Sequence, residues 1–287
     1  MWQSTAITAV RIFGAEYRVT RLSERAVMPT QLQAELADVR RLEAVSFRSW
    51  PASSVEYDGT WAIRLTAGHP SKRINSVNPL DRADHSDLEN RIARAARRFD
   101  SFGRPLVFRQ SPLAPPELDN ILDARGWRRF DETVVMTRNL NEVDLAGTFD
   151  HVPLKDVGRW IDQCIVMASF ASEVKPGLSE IIGNVQGEVG LFLSEDDDGK
   201  PLAAAMAVRF GDLVGLFEVV SNPALRREGY GRRIMRSAML WGFENGARRA
   251  WLQVVAANEP AIALYQDEGF QAAYTYSYRQ APEGFQG

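Results

Sequence analysis

At 287 residues the chain exceeds one typical domain of about 100–150 residues and fits two. Its 45% hydrophobic and 25% charged residues are those of a soluble globular protein, and a formal net charge of −3 leaves no basic footprint for nucleic acid. A lone cysteine, Cys164, excludes an internal disulfide and a zinc cluster, while no charged-then-apolar leader with a cleavage site and no apolar run near 18 residues is present, so a reducing cytoplasm is expected and neither secretion nor a membrane span.

In chain order, Asn78-Pro79, Gly103 and Gly126-Trp127 punctuate the first half, with a strand over 106–110, a helix over 117–125 and a strand over 132–137. Trp50, Trp61 and Trp127 are its core candidates. The polar, aperiodic stretch 139–147 marks a boundary. Trp160, Ile161, Cys164, Ile165, Met167 and Ala168 then recur with helical spacing over 157–171, and a short helix covers 178–185. Strands over 189–193 and 202–210 form a hairpin. Its acidic turn, 194–200, reads as solvated because it lacks the spacing of a calcium loop. The apolar strand over 213–220 breaks at Asn222-Pro223. A helix begins near Gly229, carrying Ile234, Met235, Ala238, Met239, Leu240 and Trp241 on its spacing. After Gly246 come a strand, Arg249–Val255, a helix over 260–268, Gly269-Phe270 and an alternating closing strand over 273–278.

The stretch from Asn222 to Arg233 is suited to an anion. First-turn N–H groups of a helix lack carbonyl partners, and the helix dipole places positive charge there. Gly229 and Gly231 remove the Cβ atoms that would keep phosphate oxygens off the backbone, and Arg226, Arg232 and Arg233 add charge. Arg-x-x-Gly-x-Gly over 226–231, a strand, and Asn-x-x-Ala-x-x-Leu-Tyr-x-x-x-Gly-Phe over 258–270 together resemble the GNAT superfamily of acyl-CoA N-acyltransferases, across about 146–280.

The resemblance implies an α/β (α+β) fold: a mixed, mostly antiparallel sheet flanked by helices, with a splayed strand pair holding the pantetheine arm of acetyl-CoA. It implies a cofactor site of Val219, Val220, Arg226, Arg227, Glu228, Gly229, Tyr230, Gly231, Arg232 and Asn258. Tyr265 would protonate the departing thiolate; otherwise it is a packed helix tyrosine with an exposed hydroxyl. Asn258 would bond the pantetheine arm or cap the following helix. Glu218 interrupts an apolar strand, where a carboxylate is costly without work or a partner. It is either the general base or the ion-pair partner of Arg209. The acceptor, a small-molecule or peptide amine, is set by residues 173–178 and the domain interface. No metal is implied. A protein amine as acceptor, another acyl-CoA as donor, and a non-catalytic acyl-CoA-binding module are the alternatives. Tyr274, Tyr276 and Tyr278 line the acceptor pocket or pack on a neighbour. His69, His85 and His151 adjoin no motif and read as surface or core residues.

The separation from Gly103 to Gly126 equals that from Gly246 to Gly269, which points to two copies of one fold in tandem, over 1–145 and 146–287. At an offset of 143 residues, Ala83, Ser86 and Leu88 stand where the second copy has Arg226, Gly229 and Gly231, and Leu122 stands for Tyr265. The first copy is therefore expected to bind no cofactor.

Overall fold

The computed structural model describes residues 29–149 and 151–285. The chain divides into Met1–Glu35 and a compact unit, Leu36–Gly287, which holds every strand found among the described residues. Residues 1–28, and with them the reading of the N-terminal leader and the start of the 1–145 copy, lie outside the described residues. The first half contains α1 (Pro29–Ser49), β1 (Ser54–Asp58), β2 (Trp61–Leu65), β3 (Ser76–Pro79), α2 (Leu88–Ser101), β4 (Val107–Gln110), α3 (Pro116–Ala124) and β5 (Arg128–Asn139). Then come α4 (Glu142–Leu145), α5 (Val157–Ala168), α6 (Lys175–Gly183), β6 (Glu188–Glu195), β7 (Pro201–Phe210), β8 (Leu213–Ser221), α7 (Tyr230–Glu244), β9 (Arg249–Val255), α8 (Glu259–Asp267) and β10 (Gln271–Gln280).

The ten strands among the described residues form one sheet in the order β1-β2-β3-β4-β10-β5-β9-β8-β7-β6. Only β3–β4 and β8–β9 are parallel, because a crossover helix, α2 or α7, intervenes in each case. Read inward from either edge, the sheet presents four strands of one half and then the last strand of the other. β10 pairs with β4 and β5, and β5 pairs with β9. The segment read as the closing strand of the second half thus sits between two strands of the first. Local alternation specifies a strand but not its partner.

Alternating side chains feed opposite faces of the sheet. Val107, Val135, Leu191 and Met206 join α1, α5 and α6 in one core. Their neighbours Met136, Phe192 and Ala205 join α7 and α8, while Phe108 joins α2 and α3 with Trp61 and Trp127. Trp50 is buried in the first of these cores, against Phe217 of the second half. The boundary stretch is less irregular than expected: Leu140 and Leu145 are buried around α4, under α7 and α8. Asp156 caps α5, which ends at Ala168, and α6 starts three residues before the expected 178.

Candidate active site

β8 and β9 are in register only over Leu213–Leu216 against Arg249–Leu252; beyond that they part. Within the paired stretch Gly215 leaves room for the Trp251 indole, which a Cβ would meet at 2.6 Å; the opening starts just past it. At Glu218 the backbone takes φ 47°, and the β7–β8 register shifts between Ala204 and Met206. This bulge bends β8 away and leaves the 217–221 segment, including Val219 and Val220, without β9 partners. Asn222 then caps a 3-10 turn by accepting from the Ala224 N–H at 3.0 Å, Arg227 lies at φ 70°, and α7 starts after Gly229 at φ 81°. The first intrahelical bond runs from the Arg233 N–H to the Gly229 carbonyl, so the N–H groups of Tyr230, Gly231 and Arg232 come before it.

The arginines divide by role. Arg226 and Arg227 are exposed and make no ion pair or hydrogen bond among the described residues. Arg232 is committed elsewhere, to Asp267 at 3.0 Å and to the buried Glu268 at 3.3 Å, which also takes Arg138 and Arg236. Its side chain thus staples α7 to α8, while its backbone N–H stays with the open first turn of α7. Arg233 lies over the Tyr230 ring at 4.4 Å and donates to the Glu228 carbonyl at 3.4 Å. Asn258 is the cap of α8, accepting from the Ala261 N–H at 3.3 Å. Tyr265 packs edge-on against Phe270, and burial pushes its phenol up to about 12. Its hydroxyl has no hydrogen bond among the described residues and is not one of the buried unpaired atoms, so its tip meets solvent.

At the matching place in the first half, α2 opens on acidic residues. Asp84 accepts from the Thr60 N–H at 2.8 Å, the Thr60 hydroxyl at 2.7 Å and Arg91 at 2.8 Å, and Asp87 stands at the N-cap. Carboxylates hold the position where the second half presents free arginines.

Beside the splay lies a cavity of about 370 Å³ built by both halves. Glu218 lines it, a fifth exposed, paired with Arg73 of the first half at 3.4 Å. The expected alternative partner, Arg209, instead binds Glu188 on β6. Arg73 lies over the Trp50 ring at 4.7 Å, and its carbonyl accepts from the buried Arg64 at 2.6 Å. Lys72 and Asp131, also in the lining, pair at 2.6 Å. Tyr276, Tyr278, Phe170, Val174 and Leu178 supply the apolar wall, so the 173–178 connection does contribute. Tyr276 donates to the Gln253 side-chain oxygen Oε1 at 3.0 Å, and Gln253 Nε2 donates to the Ser46 hydroxyl at 2.9 Å, which fixes this wall to α1. Behind it Glu43 receives Tyr274 and both arms of Arg109, all buried. Tyr274 therefore packs, while Tyr276 and Tyr278 line.

His69, read as a surface or core residue adjoining no motif, lines the cavity as well. Its Nδ1 accepts from the Ser71 N–H at 3.2 Å; burial, then Arg73 and Arg104, lower its pKa to about 4. It is neutral at pH 7 with its proton on Nε2. No spacing rule reaches His69, Lys72 or Arg73, because they arrive from the other half. The one available signal was the run of polar residues just before β3. Among the described residues no three His, Cys, Asp or Glu side chains gather as a metal site, and no helix is long and apolar enough to cross a membrane.

A tandem sheet with a splayed parallel pair, opening onto a glycine turn at a helix N-terminus, defines the GNAT class of N-acetyltransferases. Residues 36–279 match the family described as "Probable histone acetyltransferase Rv0428c C-terminal", and the chain belongs to that family. YobR of Bacillus subtilis, an uncharacterized N-acetyltransferase, is 27% identical over 248 residues, covering 84% of this chain and 98% of YobR. A GCN5-related N-acetyltransferase from Kribbella flavida superposes with TM-score 0.63 at 18% identity, over 85% of this chain and 96% of that one. A tandem GNAT protein from the clavulanic acid biosynthesis pathway gives 0.58 at 14% identity, over 85% and 89%. These structural likenesses establish the fold.

Proposed function

We propose that the chain transfers an acetyl group from acetyl-CoA to a primary amine by direct attack when both are bound. The observation that carries this reading is the β8–β9 splay, which leads from the Glu218 bulge to unpaired Arg226 and Arg227 and the open turn at Gly229 and Gly231. A Cβ on Gly229 would meet nothing within 4 Å, and one on Gly231 only Ser221 at 3.9 Å, so the turn has room for a pyrophosphate. Val219 and Val220, with the turn from Arg226 to Gly231, would hold the donor. The thioester supplies an activated acetyl carbonyl. Glu218 takes a proton from the acceptor ammonium, directly or through water, and Tyr265 supplies the proton that the departing sulfur needs. The donor site belongs to 146–287; we read 1–145 as a copy that keeps the scaffold and walls the acceptor cavity. The reaction is placed in the cytoplasm, where Cys164 stays reduced.

Calorimetric titration with acetyl-CoA should give one site per chain, and free thiol should appear only when an amine is added. Two sites would overturn the account of the first copy. Binding without thiol release across a broad amine panel would make the chain a non-catalytic module. Glu218→Gln should lower turnover while donor affinity holds. A second reading, a protein amine as acceptor, is favoured by the histone acetyl transfer named in the family description. Longer acyl-CoA donors in the same assay test the choice of acetyl.

A further inference from the structure

The Arg73–Glu218 pair is a poor ion pair in a good place. At 3.4 Å it is longer than the roughly 2.7–2.9 Å of a charge-assisted hydrogen bond. Both side chains are about three-quarters or more buried, at 28% and 19% exposure, and both line the cavity. Arg73 is nevertheless firmly placed, by the stack on Trp50 and by Arg64 on its carbonyl. The loop carrying it is fixed too: Asn75 donates to the His69 and Ser71 carbonyls, and Arg104 to those of Thr66, Ala67 and His69. A fixed cation thus stands beside an anion to which it makes only one long hydrogen bond. Next to them His69, neutral, presents an N–H that has no partner among the described residues.

Charge narrows the occupant further. Two cations, Lys72 and Arg73, and two carboxylates, Asp131 and Glu218, line the cavity, so it carries no net negative charge to draw a lysine-rich peptide or a polyamine. Its remaining wall is aromatic and aliphatic, with Tyr276, Tyr278, Phe170 and Leu178. We propose that the acceptor is a free α-amino acid with an apolar, preferably aromatic, side chain: its ammonium on Glu218, its carboxylate on Arg73 and the His69 N–H, and its side chain against the tyrosines. One carbon separates the two charged groups of such a zwitterion, matching charges held side by side.

This proposal rests on the acetyltransferase reading of the same site. The amine nitrogen bonds to the acetyl carbon as the carbon–sulfur bond breaks. Of the three ammonium protons one stays on the new amide, one ends on the sulfur of free coenzyme A, and one passes through Glu218 to solvent. The product has lost the charge that Glu218 held, which favours its release.

Thiol release is measured with L-phenylalanine, phenethylamine, L-phenylalaninamide, putrescine and a lysine-rich peptide, and each amine is also titrated into the protein without donor. Phenylalanine should exceed phenethylamine and the amide by at least tenfold in kcat/KM, through KM, and should bind correspondingly tighter without donor. Arg73→Gln should shrink that ratio at least tenfold, and Arg73→Lys should restore part of it. Equal or better use of phenethylamine or of the peptide overturns the proposal and leaves the acetyltransferase reading standing. Arg73-dependent phenylalanine binding with no thiol release from any amine does the reverse. If Arg73→Gln does not fold, the comparison of phenylalanine with its amide on the unaltered protein tests the same contact.

Discussion

Among single residues, Tyr265 and His69 are the two whose surroundings make sharp claims. Burial keeps the Tyr265 proton on its oxygen up to about pH 12, so it is a donor throughout the assay range. Tyr265→Phe keeps the contact with Phe270 and removes the donor alone. Turnover should fall about 10²–10⁴-fold with acetyl-CoA affinity unchanged, as read by steady-state rates beside calorimetry. Unaltered turnover would show that water protonates the sulfur. His69 titrates at about 4 in the fold against 6.5 for the free side chain, so between those values the unfolded chain binds more protons. Its contribution to stability is complete above pH 6.5 and is lost as the pH falls toward 4. Urea midpoints at pH 7 and 4.5 should drop less for His69→Gln than for the unaltered protein. The proposed roles differ in how well the sequence shows them: Tyr265 sits in a spaced motif, whereas His69, Lys72 and Arg73 reach the cavity only because two distant segments meet.

Individual elements translate that meeting into geometry. Gly229 and Gly231 look alike in sequence, yet only Gly229 has a positive φ; both positions are open. Gly229→Ala should therefore cost about 1–2 kcal/mol of stability from left-handed backbone strain. Gly231→Glu keeps the helix and places a carboxylate where phosphate is expected. Native circular dichroism with no acetyl-CoA heat is the expected result for Gly231→Glu, and retained affinity would move the phosphate site elsewhere. In α6 the close approach is different. A Cβ on Gly177 would fall on the Gly68 carbonyl and within 2.9 Å of the His69 Cβ. Gly177→Ala should push the 68–73 loop off α6, costing about 1–3 kcal/mol and raising acceptor KM while donor affinity holds. The turn and the flanking strands were legible because glycines, breakers and alternation act locally, whereas the splay came only with the family resemblance. What fills the space between β4 and β5 was not, since pairing partners far apart in the chain leave no local mark.

Across the whole molecule the exchange of β5 and β10 makes two similar halves a single folding unit. Residues 146–287 alone would lack β5 along the β9 edge and would offer β10 no partner. Produced separately, each half should aggregate; produced together, 1–145 and 146–287 should give a soluble complex that binds one acetyl-CoA. A monomeric, acetyl-CoA-binding 146–287 fragment would show that the exchange is dispensable. The same arrangement ties fold to time. β4 and β5 leave the ribosome well before β10, whose first residue follows the last of β5 by 132 positions (271 − 139). At about 5–20 residues per second that interval is roughly 7–26 s, during which the gap between the two earlier strands stays unfilled. A nascent chain of this protein therefore waits with two open strand edges, and its demand for chaperones during translation follows from where its last strand belongs.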